Sequence, residues 1–254
     1  MEISLADVSQ ATTETGTVRR IAAADFFANQ ADMVAAGWPF IITGMLEHLA
    51  DEVQILEKIR REGGREKIHC QLKVGGEDVI SIAQYLDMIS ASETSDVSYA
   101  ANNILPDKIA RTLNLQLPIR SRKVKYAKPR LWIGAANTAT FLHRDGSDNF
   151  SYQLVGSKEW TIYRVHEYNL LYFDKNDGGF SRSLIDVERQ VNLADYPLFV
   201  QAKPIRVIVN PREVFYLPYG WGHSVKNLSL SVMVNYWFSF NGYQPLVLSA
   251  RAVL

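Results

Sequence analysis

TATFLHRDGSDNFSYQLVGSKEW, residues 138–160, sets His143 and Asp145 one residue apart inside an otherwise strand-like run. Successive side chains on a β-strand alternate faces, so these two share one face and Arg144 takes the other. An imidazole and a carboxylate side by side suit a divalent metal of intermediate softness, which needs at least one further protein ligand. Of the five histidines, His48, His69, His143, His166 and His223, only the last stands in a comparably unusual setting. In VFYLPYGWGHSVKN, residues 214–227, a strand runs into a Pro and Gly turn and His223 opens the next strand.

Around this stretch, from about residue 126, short strands separated by turn residues follow one another: RLWIGAA, FLHRD, NFSYQLVG, EWTIYRV, PIRVIVNP, VFYLPYG and LSVMVNYWFSF. Without regular helical crossovers, this pattern argues for an antiparallel sandwich or barrel such as a jelly roll; in a jelly roll strands distant in sequence lie side by side and His223 can face His143 and Asp145. The first 125 residues read as mixed. Helical spacing in AAADFFANQADMVAAG, LADEVQILEKIRREGG, SIAQYLDMIS and PDKIARTLNL alternates with strand runs WPFIITG and KIHCQLKV. The expected organisation is one structural unit: residues 1–125 extend the core, and residues 126–254 form the jelly roll with an insertion at about 165–204. Long and polar, the insertion is expected to supply part of the substrate entrance between Gly178 and Tyr196, where Asp186, Glu188 and Asp195 are the residues to test; its acidic pairs DKND and IDVE read as a solvated face that could also orient a basic substrate.

Composition narrows the function classes. The 27 basic and 27 acidic residues balance, which removes the electrostatic footprint of a nonspecific nucleic-acid binder, although a local basic patch is compatible with it. The single Cys70 cannot form an internal disulfide, and the start MEISLADVSQ lacks the features of a secretion signal, so a reducing, cytoplasmic setting is expected. No uninterrupted apolar run, FIITGML and QPLVLSARAVL included, is long enough to span a bilayer.

Two histidines and one carboxylate make the facial triad of non-haem Fe(II) oxygenases, which leaves three metal positions open. The ordered set His143, Asp145, Asn149, Gln153, Gly156, Lys158, Trp160, Pro218, Trp221 and His223 resembles the JmjC or cupin-like 2-oxoglutarate-dependent oxygenases. It is similar in particular to the branch containing the asparaginyl hydroxylase that inhibits hypoxia-inducible factor. The likeness extends to WPFIITG, SYAANNIL, LIDVERQVNLADYPLF and VMVNYWF, and so covers most of the chain. It implies a double-stranded β-helix, mainly β with flanking helices. It further implies His143, Asp145 and His223 as Fe(II) ligands and Lys158 as the cation for the far carboxylate of 2-oxoglutarate, with Thr140 and Tyr99 as hydroxyl partners. Asn149 and Asn235 then lie near the metal-bound end of the cosubstrate. Where the family usually places a glutamine soon after this tyrosine, Ala101, Asn102 and Asn103 stand instead.

The activity so implied is oxygenation with O2, in which 2-oxoglutarate becomes succinate and carbon dioxide while a C–H bond is hydroxylated, on a protein or peptide side chain or on a small molecule. N-demethylation of methyl-lysine is the alternative outcome of the same chemistry. A metal-binding cupin without oxygenase activity is the alternative of another class, which would have no use for the dicarboxylate anchor Lys158. Trp160, Trp221 and Trp237 read as packing residues, each burying a large apolar area. The motif carries no information on oligomeric state.

Overall fold

The computed structural model describes residues 17–72, 75–91, 97–119, 124–174, 181–189 and 191–240. The start MEISLADVSQ, the glycines Gly178 and Gly179, and the tail QPLVLSARAVL lie outside them. The N-terminal part contributes β1 (Arg19–Ala22), α1 (Ala23–Ala35), β2 (Phe40–Thr43), α2 (Glu52–Gly63), β3 (Lys67–Leu72), β4 (Glu77–Ser81), α3 (Ile82–Ala91), β5 (Val97–Ile104) and α4 (Asp107–Thr112). Strands then dominate: β6 (Val124–Tyr126), β7 (Arg130–Gly134), β8 (His143–Arg144), β9 (Asp148–Val155), β10 (Lys158–Tyr163), β11 (Ser181–Arg182), β12 (Ile205–Val209), β13 (Val214–Leu217), β14 (Gly222–Asn227) and β15 (Ser231–Phe240). None of the described helices is long and apolar enough to cross a membrane.

Two sheets result. The large one runs β1-β2-β13-β9-β15-β7-β5-β3-β4, with β6 also paired to β15, and the small one runs β11-β8-β14-β10-β12. From β7 onward the chain alternates between them, except that β10, β11 and β12 all lie in the small sheet, so β13-β9-β15-β7 faces β12-β10-β14-β8. This is the jelly roll expected from the sequence.

Strand β9 shows how the sequence builds it. All eight residues of DNFSYQLV are buried, yet they alternate in polarity. Phe150, Tyr152 and Leu154 join a core shared with Phe26 and Met33 of α1 and Ile55 and Ile59 of α2. Asn149, Ser151 and Gln153 take the opposite face, toward the small sheet. Polar alternation ordinarily marks a solvated face; here it marks the lining of an interior. A second apolar cluster, with Trp160, Ile162, Val207, Phe215 and Val225, fills the rest of the space between the sheets.

The helices end and pack for local reasons. Asp51 caps α2 by accepting from the Gln54 backbone N–H at 2.9 Å. Its terminal Gly63 lies so close to Ile109 of α4 that a Cβ would collide with that side chain. Pro106 sits at the N-cap of α4, one position ahead of the expected first turn. The insertion packs its described part on the back of the small sheet, where Leu142, Tyr163, Leu171 and Phe173 meet Val187 and Phe199.

The β9–β10 turn sets the register of the site. Gly156 adopts φ +65°, and a Cβ there would run into the Leu230 carbonyl oxygen. The Gln153 amide donates to the carbonyls of Val155 and Gly156, both at 2.8 Å, which fixes the turn from inside. Gly156→Ala is expected to destabilise the fold by about 2 kcal/mol through left-handed strain and collision, lowering Tm by roughly 4–8 °C. Thermal unfolding of the two proteins followed by circular dichroism measures this, and an unchanged Tm contradicts it.

Candidate metal centre and carboxylate cradle

His143 and His223 are directly paired across β8 and β14, and their ring centroids lie 4.1 Å apart. Each ring is held by a carbonyl two residues earlier: Nδ1 of His143 donates to Phe141 O at 2.8 Å, and Nδ1 of His223 to Trp221 O at 3.1 Å. A carbonyl only accepts, so the proton sits on Nδ1 and each Nε2 presents a lone pair. Both lone pairs face Asp145, at 3.9 Å from His143 and 3.7 Å from His223. Ligand atoms of the three residues lie within 4.8 Å of one another. Three acceptors converging in a largely buried space repel unless a cation lies among them, so the donor set fits a divalent metal. Burial and the neighbouring His143 lower the His223 imidazole to about 4, keeping it a neutral ligand at physiological pH.

Strand alternation is not what brings Asp145 into line. Strand β8 ends at Arg144, and Asp145 lies just beyond it. Its Oδ2 accepts from the indole Nε1–H of Trp237 on β15 at 2.9 Å. Trp237, read from the sequence as packing alone, is therefore a positioning residue.

Below the histidines, the inner face of β14 continues through Val225 to Asn227, and β10 sets Trp160 and Lys158 opposite these two. Trp160 stacks on His223, with centroids 5.6 Å apart and planes at 24°. Lys158 is 0% exposed. Its ammonium donates to Tyr99 Oη at 3.1 Å and to Asn227 Oδ1, both neutral groups. No carboxylate among the described residues pairs with it, and burial lowers its pKa to about 7. The same burial raises the Tyr99 phenol, so its O–H stays a donor. Thr140 Oγ1 accepts from the Val225 backbone N–H at 3.0 Å and keeps its own proton to donate. Lysine, phenol and hydroxyl thus offer donors without an anion, on the stretch of β14 that leads away from the histidines. His223 and Asn227 are four residues apart, roughly 13 Å at the usual strand rise, a span a short dicarboxylate covers once side-chain reach is subtracted.

The opposite wall carries the two expected amides. Trp132 Nε1–H donates to Asn235 Oδ1 at 2.7 Å, and Asn235 Nδ2 donates to Asn149 Oδ1 at 3.2 Å. Asn149 is paired with Trp237 across β9 and β15, which puts the amides level with Asp145. The structure thus brings together all eight candidate site residues around the space between the two sheets, six of them on strands and Thr140 and Asp145 on the segments flanking β8.

Asn227 was not among them. It shares a strand face with His223, and that spacing was the signal available. Its amide donates to Thr138 Oγ1 at 2.7 Å while its oxygen holds Lys158. The residues after Tyr99 also gain an explanation: β5 bulges between Ala100 and Asn103, with Asn102 at φ +55°. The Asn103 side chain repairs the ladder by accepting from His69 N–H at 2.8 Å and donating to His69 O at 2.9 Å. Among the described residues, the insertion's acidic pair Asp186 and Glu188 is engaged with bases rather than with the His143, Asp145 and His223 trio. Asp186 pairs with Arg189 and Glu188 with Lys226, and the insertion residue opposite His143 is Arg182.

Comparison with known proteins gives a match to the cupin-like domain family over residues 24–242. The chain is 35% identical over 108 residues to lysine-specific demethylase 8 of Xenopus tropicalis, covering 42% of this chain and 24% of that protein. JmjC domain-containing protein D of Dictyostelium discoideum is 28% identical over 193 residues, 68% of this chain and 42% of that one. The tRNA wybutosine-synthesizing protein 5 of Gallus gallus is 26% identical over 125 residues, 49% and 38% of the two chains. This chain thus spans less than half the length of each.

Trp237→Phe keeps a ring and removes the donor to Asp145. It is expected to weaken divalent metal binding by about 10-fold or more, as loss of such outer hydrogen bonds does elsewhere, with little change in Tm. Titration with Co(II), followed by its visible absorption, reads the affinity; equal affinity in the two proteins rules out the positioning role.

Proposed function

We propose, from the premise that this chain belongs to the cupin-like family in its JmjC branch of Fe(II)- and 2-oxoglutarate-dependent oxygenases, that it hydroxylates a C–H bond of a protein or peptide side chain or of a small molecule. The observation that carries this reading is Lys158, a fully buried cation with neutral partners, on the same inner face as two histidines whose lone pairs meet a carboxylate. A binding module has no use for an anion cradle at that distance from a metal centre. When bound, Fe(II), 2-oxoglutarate and O2 supply the oxidation, with succinate and carbon dioxide as co-products.

The protein's share follows from its own groups. His143, Asp145 and His223 would hold the metal on one side and leave the other open. Trp237 keeps the Asp145 carboxylate turned toward the histidines. Lys158, with Tyr99 and Thr140, would bind the distal carboxylate of 2-oxoglutarate, and Asn149 and Asn235 would orient its metal-bound end. Trp160 and the apolar residues around it exclude water from the cosubstrate, which strengthens each of these hydrogen bonds. The buried Cys70 suits a reducing, cytoplasmic setting.

N-demethylation of methyl-lysine uses the same centre, and the name of the 35%-identical relative favours it. Product analysis separates the two: retention of one added oxygen atom marks hydroxylation, and formaldehyde release marks demethylation.

His143→Ala and Asp145→Ala are expected to abolish Fe(II) binding and 2-oxoglutarate turnover to succinate with the fold retained. Near-normal iron content in either purified variant contradicts the assignment. Lys158→Ala is expected to weaken 2-oxoglutarate about 10- to 100-fold and leave metal affinity nearly unchanged, because a buried carboxylate loses its charge-assisted partner.

The lowered pKa of Lys158 adds a pH dependence. A carboxylate binds the ammonium form and raises its pKa. Affinity is therefore full below about pH 7 and falls, by up to about tenfold per unit, as pH rises above the value of about 7 for the free protein. Calorimetry in buffers of different ionisation enthalpy should show proton uptake on binding above pH 7 and none well below it; a pH-independent affinity refutes the role.

A further inference from the structure

The mouth of the site carries charge that neither metal nor cosubstrate uses. Residues 120–130, RSRKVKYAKPR, hold six basic and no acidic residues, whereas the chain as a whole carries 27 of each. The described part of this segment forms β6 and the approach to β7. Both strands pair with the same side of β15, setting Lys125 opposite Ser239 and Arg130 opposite Asn235. Directly opposed residues share a face, and Asn235, Trp237 and Ser239 alternate onto the inner face, as the bond from Trp237 to Asp145 shows. Lys125 and Arg130 therefore flank Trp237 on the wall of the opening. On the other sheet, Arg182 is opposite His143, with its guanidinium 4.0 Å from the centroid of the Phe141 ring.

None of these three cations is ion-paired among the described residues, whose salt bridges use other bases. A solvated basic surface explains Lys125 and Lys128, which are exposed. It does not explain Arg130, whose Nε is buried without a hydrogen-bond partner. A donor held in that state costs free energy that an arriving oxyanion offsets. Strand β6 adds a second feature: among the described residues it pairs with β15 alone, and no described strand lies on its other edge.

We propose that this mouth docks an acidic stretch of polypeptide in extended form, lying along β6 with a carboxylate on Arg130 and the residue to be oxidised entering between Trp237 and His143. The inference rests on the oxygenase reading above and gives it a substrate class. A methyl-lysine flanked by basic residues would meet three cations at this entrance, so the charge pattern favours hydroxylation of an acidic segment over demethylation of a basic one.

The test uses the full chain and fluorescence anisotropy at low ionic strength with three labelled probes: a short peptide of alternating Glu and Ala, its Lys and Ala counterpart, and a short oligouridylate. The parent protein is expected to bind the Glu peptide and not the Lys peptide. Arg130→Glu combined with Lys125→Glu is expected to weaken Glu-peptide binding by roughly tenfold or more, while Arg130→Lys retains part of it. Iron and 2-oxoglutarate affinities, measured on the same samples, are expected to be unchanged. No Glu-peptide binding by the parent, equal or stronger binding of the Lys peptide, or indifference to charge reversal each overturns the proposal. Tighter binding of the oligouridylate overturns it in favour of nucleic acid. Failure of the parent to bind iron and 2-oxoglutarate removes the oxygenase reading, whereas loss of the peptide result with both ligands still bound removes only the docking assignment.

Discussion

Everything at this site depends on one backbone pairing, that of β8 with β14, which sets His143 directly opposite His223. A one-residue slip in that ladder would turn one imidazole to the back of the small sheet and leave Asp145 facing a single ring. The register is enforced from both sides. Strand β10 pairs with β14 over six residues, Lys158↔Asn227 to Tyr163↔Gly222, and the insertion strand β11 pairs with β8 from the other edge. A strand of only two residues thus carries a candidate metal-ligand position because its neighbours fix its register.

The interior between the sheets departs from an ordinary core in a way that has an energetic reading. Lys158, Asn149, Asn227 and Asn235 are each 3% exposed or less. The amides satisfy one another and two tryptophan or threonine side chains. The ammonium is different, because neutral acceptors return only part of its hydration energy. A fold that keeps such a group without an anion is less stable than one with an apolar residue there, and the difference is available to any ligand bringing a carboxylate.

Much of the architecture was legible in the sequence because strand and helix periods are local. WPFIITG, NFSYQLVG and LSVMVNYWFSF became β2, β9 and β15, and α2 starts at its aspartate cap. The candidate metal-ligand trio was legible because its residue types are chemically rare together. What escaped depends on tertiary contact. A tryptophan looks the same whether its indole N–H points at water or at Asp145, so Trp237 carried no local signal. Asn227 had one, its even spacing from His223, but that gains meaning only once Lys158 is known to lie across from it. The bulge at Asn102 was hidden because the repair by Asn103 involves His69, on a strand well separated in sequence. Acidic letters in the insertion suggested an entrance for a basic substrate; in the fold Asp186 pairs with Arg189 and Glu188 with Lys226, partners that no local pattern reveals.

Strand β9 is a party wall. One face belongs to the helical core through Phe150, Tyr152 and Leu154, and the other to the polar chamber through Asn149, Ser151 and Gln153. Neither compartment can relax without moving the other, so occupancy of the chamber and cooperativity of the whole domain are thermodynamically coupled. A compound that settles among those amides at free concentration L stabilises the fold by RT ln(1 + L/Kd) and so raises the unfolding temperature. Heat resistance, measured across a collection of metabolites and peptides, then becomes a way to find the natural substrate of this protein without first knowing what product to look for.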